Sequence, residues 1–227
     1  MKTLLLWDID GTLTLSGGAG MAALEAALQR EFGVGAPTPT KGIDFAGRTD
    51  TWIMRQIFAR IGLPGSEANL SRLLAAYLAE LPAALQNPGT CILPGVSAAL
   101  EQLAARGDCA QALLTGNVER GARIKLNHHG LSHYFAFGAF ADDSEFRNEL
   151  GPFALRRARA HHGVEFAPDR VFVIGDTPHD IACGKAIGAR TVAVATGRYS
   201  VAELRAESPT LVFADLSDTA ALLSALT

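Results

Sequence analysis

Residues 4–7 read Leu-Leu-Leu-Trp and run directly into Asp8-Ile9-Asp10-Gly11. An apolar run without alternation reads as a strand covered on both faces, as in a parallel sheet. Nothing nearby could bury such a strand, so the rest of the chain must supply its neighbours and two layers of helix. The run ends in carboxylates at i and i+2, which point to the same side of extended backbone. Two like charges at the mouth of an apolar strand are costly to desolvate. They need a cation, a shared proton or open water. An ordinary Asp/Gly turn accounts for the same letters, so the reading depends on what other segments deliver to that place.

The neighbours come from the second half of the chain. From residue 91 onward strand and helix patterns alternate: helix 96–106, strand 109–114, helix 118–129, strand 135–140, helix 152–162, strand 171–174, helix 181–187 and strand 191–195. Segments 201–206, 211–213 and 219–226 continue the series. Repeated βα units predict an α/β fold, a Rossmann-like parallel sheet with helices on both faces. Between 17 and 86 no strand pattern occurs. Helices are expected over 19–32, 51–61 and 66–86, with Ser66 as a cap and Pro82 kinking or shortening the last. A polar loop spans 37–50, and Ser16-Gly17-Gly18 and Asn87-Pro88-Gly89 read as joints. The expected division is a core of 1–15 and 90–227 with an all-helical insertion of 16–89.

Composition narrows the partners. The 227 residues are 48% apolar with a formal net charge of −3. That is enough for a core and gives no electrostatic reason to bind nucleic acid or an anionic membrane. Cys91, Cys109 and Cys183 are far apart, which argues against a disulfide framework or zinc knuckle and fits a reducing compartment. No run approaches the roughly 20 apolar residues of a membrane span. A soluble cytoplasmic protein, monomer or homodimer, is expected.

In open α/β sheets ligands bind beyond the carboxyl ends of the strands. Three strand ends carry polar groups there: Asp8 and Asp10; Thr115-Gly116-Asn117; and Gly175-Asp176-Thr177-Pro178, followed by Asp180. Backbone N–H groups and a hydroxyl at a helix start favour phosphate. Carboxylates beside a glycine suit a hard divalent cation. Each motif alone also reads as a helix cap. Together they describe a phosphate ester held against Mg²⁺.

DIDGTL, LLTGN and VIGDTPHDI, in that order, resemble three of the four signature motifs of the haloacid dehalogenase superfamily of phosphohydrolases, and the helical insertion resembles its cap. The resemblance implies Asp8 as a nucleophile forming an aspartyl-phosphate and Asp10 as acid and then base. It implies Thr115 as a phosphoryl ligand helped by Gly116 and Asn117. Asp8, the Asp10 main-chain carbonyl, Asp176 and Asp180 would hold or support Mg²⁺. The family's remaining motif places a lysine where this chain reads Asp142-Asp143-Ser144-Glu145-Phe146-Arg147-Asn148-Glu149-Leu150. Arg147 is the expected substitute, with a surface ion pair as its plainer reading; Lys125 is a rival lying two turns inside a helix. Arg48, in the insertion's Gly47-Arg48-Thr49-Asp50 loop, could meet a second anionic group, and Lys41 is a weaker candidate. The pairs His128-His129 and His161-His162 point in different directions on their helices and read as helix-end residues.

The expected activity is Mg²⁺-dependent hydrolysis of a small phosphorylated metabolite, phosphoglycolate-like compounds being the first guess by resemblance. A β-phosphoglucomutase-like phosphomutase and a non-catalytic binding protein on the same fold are the alternatives. A 2-haloacid dehalogenase is disfavoured by Asp10, and Lys41 keeps phosphonate hydrolysis barely open.

Overall fold

The structure, a computed structural model, describes residues 2–35 and 39–226. The expected loop start at Pro37 lies outside them. The opening run forms β1 (Thr3–Trp7), buried along its whole length. It is flanked on both sides by parallel strands, β4 (Cys109–Leu114) and β6 (Val171–Gly175). The six-stranded sheet is completed by β5 (Gly138–Ala139), β7 (Arg190–Val194) and β8 (Leu211–Phe213) in the order β5-β4-β1-β6-β7-β8. Successive β1 side chains enter different cores. Leu5 and Trp7 join one apolar layer, Leu4 and Leu6 the other. This is why the run shows no alternation.

Because β1 lies between β4 and β6, the chain departs from it in both directions, giving the sheet its topological switch point. The register aligns Trp7 with Leu113 and Ile174. Asp8, Thr115 and Asp176 therefore leave the sheet along one edge within a residue or two of each other.

Helices cover both faces: α4 (Val96–Ala104), α5 (Glu119–His128), α6 (Leu150–His162), α7 (Pro178–Ala186), α8 (Val201–Ala206) and α9 (Thr219–Ala225). The expected strand over 135–140 is much shorter. Ser132–Tyr134 is a 3-10 turn, and only Gly138–Ala139 pairs with β4. The sequence Phe-Ala-Phe-Gly-Ala-Phe mimics alternation, but Phe135 and Phe140 are core plugs on one side of the sheet and Phe137 packs on the other.

The inserted helices are α1 (Ala19–Phe32), α2 (Asp50–Ile61) and α3 (Glu67–Ala84). Ser66 caps α3 through Asn69 N–H, and Pro82 sits inside its last turn. Leu24, Leu28, Ile57, Phe58, Leu73 and Leu81 give these helices an apolar cluster of their own, joined by Val118 and Ala141. The insertion is entered and left through an antiparallel ribbon, β2 (Thr14–Ser16) with β3 (Thr90–Ile92). Three-residue strands paired across about 75 positions leave no periodic trace in the sequence. At this entry Gly17 has φ 55° and Gly18 φ 82°, so the expected joint is a tight left-handed turn that suits glycine. No described helix is long and apolar enough to cross a membrane.

Candidate active site

Asp8 takes up the sheet's hydrogen bonding where β1 stops, its N–H donating to the Ile174 carbonyl at 2.9 Å. Its side chain is buried with those of Asp176 and Asp180, and one carboxylate oxygen from each lies within 4.8 Å of the others. Burial, helped by Asp180 and Asp10 and opposed by Arg147, pushes the Asp8 carboxyl up to about 6. Burial, with Asp180 and Asp8, pushes Asp176 up to about 8. Three buried carboxylates against one guanidinium are short of positive charge. Hard oxygen donors in that state fit a divalent cation. The Asp10 carboxylate turns away from this cluster, toward Lys125, Asn117 and Ser16.

Asp180 is fixed locally. Thr177 N–H donates to its Oδ2 at 3.0 Å and Asp180 N–H donates back to Thr177 Oγ1 at 3.4 Å, a capping box that starts α7, and the Thr177 hydroxyl adds a bond to Oδ2 at 2.7 Å. Gly175 gives it room, because a Cβ there would overlap the Asp180 carboxyl group. Gly175→Ala is therefore expected to displace Asp180, break the capping box and lower stability by about 2 kcal/mol. Chemical denaturation of wild type and variant checks this; an unchanged midpoint would show that Asp180 can move freely.

Arg147 lies on a 3-10 turn (Arg147–Glu149) and is buried. One of its nitrogens, Nη2, pairs with Asp8 Oδ1 at 2.9 Å and also with Asp180. The plainer reading, a surface pair with Glu145 or Glu149, does not describe it. Glu145 pairs instead with Arg55 at 2.9 Å, and Glu149 accepts from Ser144 at 2.6 Å.

Lys125 is also in the site. Its Nζ donates to Asp10 Oδ2 at 2.6 Å and Asn117 Oδ1 at 2.7 Å. Asn117 donates to Asp10 Oδ2 and Thr115 Oγ1, each at 2.9 Å. Ser16 donates to Asp10 Oδ1 at 3.1 Å. Burial opposes ionisation of Asp10, but Lys125, Asn117 and Ser16 outweigh it and hold the carboxyl below its ordinary value. The two aspartates thus have separate cations: Asp8 has Arg147, Asp10 has Lys125.

The α5 N-terminus is less open to an anion than its sequence suggests. Val118 N–H donates to Asp50 Oδ2 at 2.9 Å and Glu119 N–H to Asp142 Oδ2 at 2.6 Å. Asp50, at the start of α2, is itself pushed up to about 6 by burial. Its N–H donates to the Gly116 carbonyl at 2.7 Å. A Cβ on Gly116 would overlap the Arg48 carbonyl, so only glycine allows the two backbones this approach.

Above Asp8 lies a cavity of about 240 Å³. Asp8, Asp10, Thr115 and Arg147 form its floor, Met21, Leu24, Ile53 and Met54 the apolar part of its upper wall. Arg48 is among the residues lining this cavity, but its guanidinium stacks over the Trp52 ring, 4.5 Å from the centroid, on the side of a neighbouring cavity that Trp52 and His179 line, and its Nε is buried without a hydrogen-bond partner. Lys41 and the two His pairs are not among the residues lining it.

The family model for haloacid dehalogenase-like hydrolases matches residues 5–185, spanning β1 through most of α7. The chain belongs to this family. Among curated relatives, a phosphoglycolate phosphatase from Rhodospirillum rubrum is 30% identical over 96% of this chain and 90% of its own. A predicted phosphoglycolate phosphatase from Haemophilus somnus superposes with a TM-score of 0.72 at 19% identity, over 98% of both chains. A putative β-phosphoglucomutase from Bacteroides vulgatus gives 0.72 at 22%, over 99% of this chain and 88% of that one. These two structures share the fold of this chain.

Proposed function

We propose that this haloacid dehalogenase-like phosphatase hydrolyses a small phosphate monoester through an aspartyl-phosphate on Asp8. The helical insertion, 16–89, serves as its cap over a core of 1–15 and 90–227. The observation that carries the reading is the separation of the two aspartates. Asp8 sits with Asp176, Asp180 and Arg147, whereas Asp10 sits with Lys125 and Asn117. One carboxylate is arranged for attack in a cation-binding cluster, the other for proton traffic.

In the first half-reaction an Asp8 oxygen bonds to phosphorus and the bond from phosphorus to the ester oxygen breaks. The departing oxygen takes a proton from the Asp10–Lys125 pair, whose members lie 2.6 Å apart. In the second half Asp10 removes a proton from water. The water oxygen attacks phosphorus, and the bond to Asp8 breaks to release inorganic phosphate. Thr115, Gly116 and Asn117 line the phosphoryl position. Asp8, Asp176 and Asp180, with the Asp10 main chain, would hold Mg²⁺, which screens the charge that carboxylate and phosphate bring together.

The cavity bounds the substrate. It suits a small ester, and its upper wall is apolar except for Asp50, Tyr77 and Arg48. Lys125 and Arg147 are engaged by carboxylates, so Arg48, once its side chain turns from the Trp52 ring into the cavity, is the cation for a second anionic group. A phosphoglycolate-like compound meets both conditions, in keeping with the name of the Rhodospirillum rubrum relative.

Arg48→Ala is expected to raise KM about 10–100-fold for esters carrying a carboxylate, the range of one charge-assisted hydrogen bond. KM for esters lacking that group should stay within about threefold. Equal effects on both classes would remove Arg48 from recognition. The broader test is a panel of phosphate esters, assayed with and without Mg²⁺. Hydrolysis of none would favour a binding role. A sugar phosphate returned with its phosphoryl group moved would favour the mutase.

A further inference from the structure

In the family's usual motif a lysine stands where this chain has Arg147, and the geometry gives the replacement a specific consequence. An ammonium is a single nitrogen, whereas a guanidinium is a rigid fork. Here the two ends of the fork hold different parts of the molecule. Nη2 pairs with Asp8 Oδ1 at 2.9 Å and with Asp180. Nη1 donates to the carbonyl of Gly47, in the cap loop, at 3.3 Å. Among the described residues no other side chain bonds both to the Asp8–Asp176–Asp180 cluster and to the cap.

The surroundings make that carbonyl a fixed target. Gly47 has φ 69°, and a Cβ on it would lie 2.5 Å from Thr177 Oγ1 and 2.8 Å from His179 Cβ. The loop is therefore pressed onto the start of α7. Gly116 lies on the other side, where a Cβ would be 3.1 Å from Arg147 Nη1 and would overlap the Arg48 carbonyl. Arg147 thus crosses the seam where cap loop, phosphate-site loop and metal-site loop meet. Other bonds cross the seam within three residues of Gly47: Thr49 Oγ1 to the Glu145 carbonyl at 2.6 Å, Asp50 N–H to the Gly116 carbonyl at 2.7 Å, Val118 N–H to Asp50 Oδ2 at 2.9 Å, and Arg198 to the Asp44 carboxylate at 2.7 and 3.1 Å.

We infer that Arg147 is a positioning residue that fastens the cap loop over the nucleophile, coupling cap closure to the placement of Asp8. When the loop lifts, the fork loses one anchor and is free to swing. When the loop seats, the fork's second bond fixes the plane in which Nη2 presents to Asp8. Lysine can satisfy the aspartates but cannot hold the loop at the same time. The kinetic part of this inference rests on Asp8 being the nucleophile; the closure part does not.

Amide hydrogen exchange on the whole protein, without substrate, reads closure directly. The Asp50 N–H bridges the seam and is the reporter. Arg147→Lys is expected to speed its exchange about tenfold while amides within α3 keep wild-type rates. Gly47→Ala, which displaces the carbonyl from the cap side, should give the same signature. Unchanged exchange at Asp50 in Arg147→Lys would overturn the inference.

The kinetic arm uses an ester that wild type turns over. Arg147→Lys and Gly47→Ala should each raise KM proportionally more than they lower kcat, and the double variant should be no worse than the weaker single one. Fully multiplicative effects would mean that the two positions act independently, which also overturns the inference. If wild type hydrolyses no ester, the functional reading fails, and the exchange experiment still decides the role of Arg147.

Discussion

Asp8→Asn lowers ester turnover by roughly 10⁴-fold or more, the scale of loss when a covalent nucleophile is removed. Asparagine keeps the shape of the side chain and can still accept from Arg147, but it cannot form the acyl-phosphate. The same change should raise the melting temperature in the absence of divalent cations. Burial pushes the Asp8 carboxyl up to about 6, against the pull of Arg147, so its charge is carried at a cost in the folded state. Removing it leaves Asp176 and Asp180 facing Arg147, a better-balanced set. Activity and stability therefore move in opposite directions, which separates lost chemistry from lost folding. Turnover is measured on the best ester of the panel, and melting is followed in chelator. Turnover within tenfold of wild type would sink the assignment of Asp8. A fall in both quantities would assign the defect to the fold.

Asp8 and Asp176 could be found in the sequence because their signal is local. Each ends an apolar strand, and parallel strands in one sheet must bring their carboxyl ends to one edge. Lys125 and Asp50 could not be placed that way. Lys125 is the seventh residue of α5, about 9 Å along the axis from its start. Counted by position, that is too far from Asp10. Side chains on a helix lean toward its N-terminus, however, and a lysine is long enough to reach back. That backward lean of a long side chain on a helix was the available signal.

Asp50 carried no such trace. It starts α2, yet it accepts the N–H of Val118 from another part of the chain. A cap supplied across 68 residues cannot be separated by pattern from an ordinary first-turn aspartate, and Thr49 supplies the local cap of α2, accepting from Trp52 N–H at 3.2 Å. The same reasoning covers Arg147. The residue type was legible, but the sharing of its fork between Asp8 and Gly47 depends on where the cap loop settles.

Without divalent cation, the protein should lose stability as pH rises from about 5 to about 8.5. The sign follows from Asp176. Its carboxyl is raised from 3.8 to about 8, by burial first and then by Asp180 and Asp8. The folded protein therefore keeps a proton that the unfolded chain releases near pH 4, and folding is penalised progressively as pH climbs through that window. At about 1.4 kcal/mol per unit, the loss is on the order of 3–5 kcal/mol, or roughly 6–20 °C in melting temperature for a chain of this size. Mg²⁺ held by these carboxylates would compete with protons for the same oxygens, so the stabilisation it gives should be small near pH 5 and large near pH 8.5. Asp176→Asn should flatten the pH slope and remove most of the Mg²⁺ gain, while lowering turnover by about 10³-fold. Differential scanning calorimetry at the two pH values, with chelator and with Mg²⁺, reads all of these stability effects. A Mg²⁺ gain that is independent of pH, or that survives in Asp176→Asn, would place the cation elsewhere. The glycines explain why the slope should be steep. A Cβ on Gly11 or Gly197 would overlap the Asp176 carboxylate, so backbone closes around it where water would otherwise hydrate the charge. A carboxylate enclosed in this way is unfavourable when alone and well placed when a cation shares it.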